Sequence, residues 1–250
     1  GTIMTRKSEQ RRKIIYERIQ REGSVKVTEL SNDYNVSSET IRKDLDVLCE
    51  QGKIEKKHGS ANRIDKYSHI PLRVKREDHR EEKIRMAACA SKLIEDYQTI
   101  WLDAGSSVYT MLRFLSPRKN LTIDTNSIEI ATALAGSHHR LIVVGGLLEP
   151  IGQSLVGPFA NEQIAALHFD LAFLGSDGFK NSEGPTTFAY EEIQIKRTAL
   201  MHAARSVLLV DDSKTEVCAP YQYARFREFD TIVTTADPSN FPEPEKVIVA

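Results

Sequence analysis

Polar clusters follow five of the apolar runs between residues 99 and 214 of the sequence, where a folded chain could use them to bind a ligand. At the first, residues 99–103 predict a strand, and Gly105, Ser106 and Ser107 predict a turn into a helix. Backbone N–H groups and the helix dipole at such a turn favour phosphate, although a Gly-Ser turn can also be only a helix cap. The other clusters are Thr125-Asn126-Ser127, Gly145-Gly146, Gly175-Ser176-Asp177-Gly178 and Asp211-Asp212-Ser213-Lys214.

These clusters together suit a phosphorylated ligand that carries hydroxyl groups. In open α/β sheets, ligands lie beyond the carboxyl ends of the strands, and glycines there let the backbone approach closely. Lys214 can supply a positive charge to a phosphate, and the carboxylates of Asp103, Asp177 and Asp212 can accept hydrogen bonds from sugar hydroxyls. Some of the clusters are only turns, but five together are harder to explain as turns alone.

A second group of residues, near the amino terminus, has the types and spacing of a DNA-reading helix. Ile41, Leu45 and Leu48 recur at i, i+4 and i+7, which predicts a buried stripe on a helix that is capped by Ser37 or Ser38. The remaining faces are polar and basic, and Arg can bridge O6 and N7 of guanine. The candidates for DNA contact are Ser37, Ser38, Thr40, Arg42 and Lys43 on this helix, and Lys56, Lys57 and His58 near the tip of a following hairpin.

The elements around this helix complete a winged helix-turn-helix pattern. Helices are predicted at 6–22 and 28–34, and the two strands of a wing at 53–58 and 61–64. A three-helix packing module with solvated charges is the alternative. The charge distribution favours the DNA-binding interpretation. Residues 1–66 carry 15 Lys and Arg against 11 Asp and Glu, whereas the remainder carries 19 Lys and Arg against 24 Asp and Glu.

The rest of the chain alternates apolar strands with helices, which predicts a largely parallel, buried α/β sheet. The expected domains are a winged helix-turn-helix at 4–62, a linker at 63–75 and an α/β sensing domain at 76–250. The predicted strands of this domain are 99–103, 121–125, 140–144, 170–174, 206–210, 231–234 and 246–249, and its predicted helices are 76–96, 107–115, 128–134, 164–167 and 189–204.

Cysteine, histidine and hydropathy patterns argue against several other classes. Cys49, Cys89 and Cys218 form no C-x-x-C pair, which argues against a zinc site or a disulfide framework. His138-His139 have no third ligand at a useful spacing, so we expect no metal and no cofactor. The longest apolar run, at 141–148, contains two glycines and is too short to cross a bilayer. These features predict a soluble cytoplasmic protein.

The amino-terminal motifs resemble the helix-turn-helix of DeoR-type bacterial repressors. Residues 34–45 read Y-N-V-S-S-E-T-I-R-K-D-L, which contains the family pattern V-S-x-x-T-I-R-[RK]-D-L, and residues 48–54 fit its continuation L-x-x-x-G-x-[IL]. The family wing R-x-H-G-G-A is K-K-H-G-S-A here, with Ser60 in place of the second glycine. The resemblance implies DNA contacts by Thr40, Arg42 and Lys43.

The second half resembles the DeoR-type C-terminal sensor domain, which is itself similar to ribose-5-phosphate isomerase. The landmarks D-x-G-[ST]-[ST], T-N, G-G, G-x-x-G, E-x-x-x-K and D-x-[ST]-K are present, whereas the linker motif P-[FY]-x-x-R is P-L-R-V-K at 71–75. The resemblance implies a phosphorylated sugar or polyol, or a related phosphometabolite, as effector, and a homo-oligomer that is a dimer or a tetramer. The effector-binding candidates are Asp103, Gly105, Ser106, Ser107, Thr125, Asn126, Ser127, Gly145, Gly146, Asp177, Gly178, Glu192, Lys196, Asp212 and Lys214.

The predicted function is sequence-specific repression of a carbohydrate-utilisation operon under the control of such an effector. The alternative is a sugar-phosphate isomerase-like enzyme with a DNA-binding head. The related isomerases place paired carboxylates in a D-G-A-D segment, but residues 177–180 read D-G-F-K, so a lysine replaces the second acid. We therefore expect no catalytic residues and no enzyme activity. A module that only binds other proteins is a third class, and the glycine-rich strand ends argue against it.

Overall fold

The computed structural model describes residues 2–57, 59–63 and 78–250 of the 250-residue chain. The chain divides into two compact units, Gly1–Ile70 and Pro71–Ala250. His58 and nearly all of the predicted linker lie outside the described residues, and the domain boundaries stay predictions.

The described part of the amino-terminal unit contains three helices and a small antiparallel sheet, as the sequence predicts for a winged helix-turn-helix. The elements are α1 (Thr2–Glu22), β1 (Ser24–Lys26), α2 (Val27–Tyr34), α3 (Ser38–Glu50), β2 (Ile54–Lys57) and β3 (Ser60–Arg63). The strands are ordered β1-β3-β2, so β1 pairs with β3, the second strand of the wing.

The predicted stripe of α3 forms the centre of this unit. Ile41, Leu45 and Leu48 are all buried, and they pack with Ile15 and Ile19 of α1. Spacings of three and four residues place such side chains on one helix face, so the period of the sequence alone predicts this core. The stripe is confirmed, and it leaves the other faces of α3 to solvent.

Two helix starts differ in their caps. Ser37 is the N-cap of α3, since its Oγ accepts a hydrogen bond from Thr40 N at 3.1 Å. The helix predicted at 28–34 begins one residue earlier, at Val27, and Lys26 occupies its N-cap position. Thr28 therefore lies inside the first turn of α2.

Replacing Ser37 with alanine is expected to destabilise the start of α3 by about 1 kcal/mol, because Thr40 N loses its acceptor. Hydrogen exchange of the α3 amides in the full chain measures this change locally. Ser38→Ala is the matched control, since Ser38 is the first residue of the helix and not its cap. Equal acceleration of exchange in both variants would contradict the assignment.

The second unit is built on a seven-stranded, entirely parallel sheet of strand order β14-β13-β11-β9-β4-β5-β6. Two short antiparallel pairs, β7-β8 and β10-β12, lie outside it. The strands are β4 (Thr99–Leu102), β5 (Thr122–Thr125), β6 (Arg140–Val143), β7 (Leu147–Glu149), β8 (Ser154–Val156), β9 (Phe169–Gly175), β10 (Thr186–Thr187), β11 (Ala203–Val210), β12 (Tyr221–Gln222), β13 (Thr231–Thr234) and β14 (Val247–Val249). The helices are α4 (Arg80–Ser91), α5 (Ser106–Thr110), α6 (Ile128–Leu134), α7 (Pro158–Ala165) and α8 (Glu192–Met201).

Helices cover both faces of this sheet, which gives three layers. Successive residues of a strand point to opposite faces, so Trp101 belongs to one buried cluster and Leu102 to the other. The Trp101 face is covered by α7 and α8, and the Leu102 face by α4, α5 and α6. The predicted parallel α/β fold is confirmed. Among the described residues, no helix has the length and apolar character needed to span a membrane.

Several predicted helix limits are wrong. The helix predicted at 76–96 ends at Ser91, because Leu93 N and Ile94 N donate to carbonyl groups only three residues back and tighten the chain into a turn. The helix predicted at 107–115 is one short α-helix, α5, continued by a 3-10 helix at Met111–Phe114. The helix predicted at 189–204 ends at Met201, and Ala203 pairs with Phe169 as the start of β11.

Two further differences surround the loop before β9. The helix predicted at 164–167 is longer and begins at Pro158, a residue whose fixed φ suits the first turn of a helix. The hairpin of β7 and β8 was not predicted from the sequence. Its strands have three residues each, too few for a clear alternation of apolar and polar side chains.

Candidate functional site

All five polar clusters follow strands that are neighbours in the sheet. The strands β6, β5, β4, β9 and β11 are adjacent and parallel, so their carboxyl ends share one edge. Ligands of open α/β sheets bind at this edge. The strand order therefore brings together clusters that are spread over residues 103–214 of the sequence.

A buried ion pair lies at the centre of this edge. Lys196 Nζ, from α8, donates a hydrogen bond to Asp103 Oδ2 at the end of β4, and both side chains are almost completely buried. Trp101 Nε1 donates to the other oxygen, Asp103 Oδ1, at 3.3 Å. Burial alone would lower the pKa of Lys196, but the negative charges of Asp103 and Glu192 outweigh it and raise that pKa above its ordinary value.

Glu192 is the second acid of this group. It lies one helical turn before Lys196, and its Oε2 is 3.8 Å from the ammonium nitrogen. Ser154 Oγ donates to Oε1 at 2.8 Å, and Thr187 Oγ1 donates to Oε2 at 3.3 Å. Burial raises the pKa of Glu192, and the positive charge of Lys196 opposes this effect.

Tyr223 joins the group and was not predicted from the sequence. Its ring centroid lies 5.3 Å from Lys196 Nζ, and its hydroxyl donates to Gly175 O at 2.6 Å. Burial raises the pKa of this phenol above its ordinary value, so it stays a neutral hydrogen-bond donor. A tyrosine in an irregular segment shows no periodicity, so sequence reasoning had no signal for it.

Four of the effector-binding candidates make contacts within the protein that give each of them a structural role. Thr125 Oγ1 donates to Leu102 O at 2.7 Å, and Ser127 Oγ accepts from Ile130 N as the N-cap of α6. The other two are in the turn after β6. The backbone of Gly145 exchanges hydrogen bonds with the Gln163 amide, and a Cβ at Gly146 would lie 2.5 Å from Val156 O.

The turn after β4 borders open space. A Cβ built on Gly105 would meet no heavy atom within 4 Å, although Ser106 and Ser107 are buried. The neighbouring Asn126 is buried, and its Nδ2 donates to Leu155 O at 3.1 Å. Its Oδ1 is buried and has no hydrogen-bond partner among the described residues.

The turn after β9 has no pair of acids. Asp177 Oδ2 accepts from Phe188 N at 2.9 Å, and a Cβ at Gly178 would overlap the Val217 carbonyl. Phe179 packs in the core, and Lys180 is half-exposed with its ammonium 3.7 Å from Glu216. Lys180, which replaces the second acid of the D-G-A-D segment, thus lies at the surface.

The turn after β11 places its acids differently from the expectation. Asp212, the predicted ligand, is exposed, whereas Asp211 is completely buried and accepts from Ser213 N at 3.0 Å. Lys214 takes part in the turn through its backbone, whose carbonyl accepts from Phe179 N at 2.9 Å.

The free faces of α3 carry the predicted DNA contacts. Arg42 and Lys43 are exposed, and Lys43 Nζ lies 3.1 Å from Glu39 Oε1 in a solvent-exposed pair. Ser38 and Thr40 are partly exposed on the first turn. In the wing, Lys56 pairs with Asp46 of α3, residue 57 ends β2, and His58 lies outside the described residues.

Asp44 fixes the orientation of α3 and was missed as a structural residue. It is buried beside the apolar stripe, where Oδ2 accepts from Arg11 Nε at 2.5 Å and Oδ1 from Arg12 Nη1 at 3.4 Å. Its spacing of three residues from Ile41 places it on the buried face, and this spacing could have revealed it.

Comparisons with known proteins agree across both units. A family model described as the DeoR-like helix-turn-helix domain matches residues 11–67, and one for the DeoR C terminal sensor domain matches residues 78–236. The HTH-type transcriptional regulator IolR of Bacillus subtilis is 32% identical over 214 residues, 85% of each chain. The lactose phosphotransferase system repressor of Staphylococcus epidermidis is 31% identical over 234 residues, 92% of each.

Two more proteins complete the comparison. The glycerol-3-phosphate regulon repressor of Escherichia coli is 29% identical over 233 residues, 93% of this chain and 92% of that one. Among solved structures, ribose 5-phosphate isomerase A of Methanocaldococcus jannaschii is 20% identical, with 55% of each chain covered and a TM-score of 0.41. Because two DeoR family models match the chain and its relatives align over most of its length, the chain belongs to the DeoR family of transcriptional regulators.

Proposed function

We propose that this chain is a sequence-specific transcriptional repressor of a carbohydrate-utilisation operon, and that a phosphorylated sugar or polyol, or a related phosphometabolite, controls it through the second unit. The observation that carries the proposal is the division of α3 between a fully buried stripe and an exposed face that carries Arg42 and Lys43. Only a helix fixed in this way can present Arg42 and Lys43 to a major groove in a constant register.

DNA recognition would divide between bases and backbone. The guanidinium of Arg42 reads guanine through O6 and N7, which no other base pair offers in the same pattern. Ser37, Ser38 and Lys43 hold phosphates at the start of the helix, where backbone N–H groups also favour anions. Lys56, Lys57 and His58 of the wing would contact the DNA backbone or enter the minor groove, and backbone contacts orient the protein without a base preference.

The effector proposal rests on the polar edge of the sheet. Gly105 borders open space there, and Asp103, Glu192 and Lys196 form a buried polar group beside the same strand end. Lys214 follows β11, which is separated from β4 by β9 at the same edge of the sheet, and would bind the phosphate. Two relatives are named for a lactose phosphotransferase system and a glycerol-3-phosphate regulon, which supports small phosphorylated carbohydrate metabolites as the class.

Control of DNA binding would work by linkage. Two amino-terminal units in a homo-oligomer bind two half-sites spaced by helical turns of DNA. The effector changes DNA affinity only as far as its own affinity differs between the DNA-bound and free arrangements. A coupling of about 1–3 kcal/mol, or roughly 5–150-fold in affinity, is typical of such systems.

Arg42→Ala is expected to weaken binding of the operator by roughly 5–150-fold for each half-site, because each half-site loses one bidentate base contact worth about 1–3 kcal/mol. The operator is first obtained by selection from random duplex DNA with the full chain, and affinity is then measured by fluorescence anisotropy. A scrambled duplex should lose much less affinity, because non-specific binding depends on phosphates. Arg21→Ala, an exposed arginine of α1, is the matched control and should not lower the ratio of operator to scrambled affinity.

Lys214→Ala tests the second half of the proposal, which is effector binding by the second unit. A thermal-shift screen of the full chain with phosphorylated sugars and polyols identifies the effector, and the variant should lose that shift while it retains operator binding. Arg42→Ala should retain the shift. Equal damage to both activities by both substitutions would disprove this division of roles, and no shift with any phosphometabolite would disprove the effector alone.

A further inference from the structure

Three potential metal ligands meet at a place where the sequence shows no metal motif. His79 immediately precedes α4, and Asp211 and Asp212 directly follow β11. One ring nitrogen of His79 and one carboxylate oxygen of each aspartate all lie within 4.8 Å of one another. Donor atoms that share an ion at about 2.1 Å lie at most roughly 4 Å apart, so small side-chain rotations would bring these three atoms onto one ion.

Asp211 has an oxygen that needs a partner. Its side chain is completely buried, and its Oδ1 accepts hydrogen bonds from Ser213 N and Ser213 Oγ. Its Oδ2 is also buried and has no hydrogen-bond partner within the described part of the chain. A buried carboxylate oxygen without a partner is destabilising, and a bound cation would compensate it.

The two other ligands close the site from the solvent side. Asp212 and His79 are exposed, so an ion could enter past them and bind the buried Asp211 from outside. The backbone of Asp212 is held by a hydrogen bond from its N–H to Thr235 Oγ1 at 3.0 Å, which limits where its carboxylate can point. The site thus combines one buried and two accessible donors.

We propose that His79, Asp211 and Asp212 form a binding site for one divalent first-row transition-metal ion. Two carboxylates and one imidazole match the charge of a divalent cation, and the imidazole favours Mn²⁺, Zn²⁺ or a similar ion over Mg²⁺ and Ca²⁺. The bound ion connects the N-cap residue of α4 to the turn after β11, and water fills its remaining positions. Asp212 is also one of the effector-binding candidates, so the test of this site uses the metal alone, without any sugar.

Mn²⁺ is the best first probe of this site. Cys49 and Cys218 are exposed thiols that could capture Zn²⁺ elsewhere, whereas Mn²⁺ prefers oxygen and imidazole ligands. The full chain, freed of metal with a chelator, is titrated with Mn²⁺ in the absence of any sugar, and free Mn²⁺ is followed by electron paramagnetic resonance. The expected result is one saturable ion per chain and a higher melting temperature with Mn²⁺ than with equal Mg²⁺.

Variants assign the ligands. His79→Gln and Asp212→Asn are each expected to weaken Mn²⁺ binding at least tenfold, with little change in melting temperature without metal because both side chains are exposed. His138→Gln is the matched control, because His138 is an exposed histidine outside the cluster and should leave affinity unchanged. The proposal is overturned if the full chain binds no Mn²⁺ saturably, or if His79→Gln and His138→Gln bind it equally well.

Discussion

Lys196→Met is expected to lower the free energy of unfolding of the second unit by about 3–5 kcal/mol, the largest loss among the substitutions considered. The substitution leaves Asp103 as a buried carboxylate without its cation, and the Trp101 N–H at 3.3 Å cannot replace a full positive charge. Methionine retains most of the side-chain volume, so the loss reports the charge and not a cavity. Trp101 is the single tryptophan of the chain and is buried beside Asp103, so its fluorescence during urea unfolding is a local probe.

Lys180→Met is the matched control for this experiment. Lys180 pairs with Glu216 at 3.7 Å on the surface, where an ion pair contributes at most about 1 kcal/mol. The double variant Asp103→Asn with Lys196→Met should recover part of the lost stability, because it removes the unpaired charge. If Lys196→Met costs no more than Lys180→Met, the buried pair is not essential to the unit.

Asp124→Asn is expected to stabilise the chain above pH 7 by up to about 3 kcal/mol and to change it little near pH 4. Asp124 lies on β5, is almost completely buried, and its Oδ1 has no hydrogen-bond partner among the residues that the structure describes. Burial raises the pKa of Asp124 to about 6, against a smaller opposing effect of Arg140. The folded state therefore holds this proton more tightly than the unfolded chain does.

The direction of the pH effect follows from that difference. The stabilising contribution of the protonated acid is complete below the ordinary pKa of 3.8 and is lost as pH rises through about 6. A difference of about two pKa units corresponds to about 3 kcal/mol. Urea unfolding at pH 4, 6 and 8, followed by Trp101 fluorescence, measures the difference between variant and wild type.

Asp96→Asn controls for the loss of one negative charge, because Asp96 is an exposed residue of the same unit. The stability difference between Asp124→Asn and the wild type should grow with pH, whereas that of the control should not follow the same curve. A constant difference from pH 4 to pH 8 would show that Asp124 does not hold a proton in the folded state.

The sequence predicted those features that local periodicity controls. The stripe of Ile41, Leu45 and Leu48 follows from helical spacing, and the parallel sheet follows from apolar strands that alternate with helices. The convergence of the polar clusters on one sheet edge also followed, because parallel strands place all their carboxyl ends together. Element limits were less accurate, since the ends of α4 and α8 depend on turns and strand pairing beyond the helix itself.

Amino-acid order by itself determined the winged helix-turn-helix, the parallel α/β class and the exposure of Arg42 and Lys43 on α3. Only the tertiary structure decided which charges meet: Lys196 with Asp103, Arg11 with Asp44, and His79 with the two acids after β11. The burial of Tyr223 and the burial of Asp211 were likewise decided only by the tertiary structure. Periodicity reports which face of an element avoids water, but an ion pair depends on distances between elements far apart in the chain, and folding alone sets those distances.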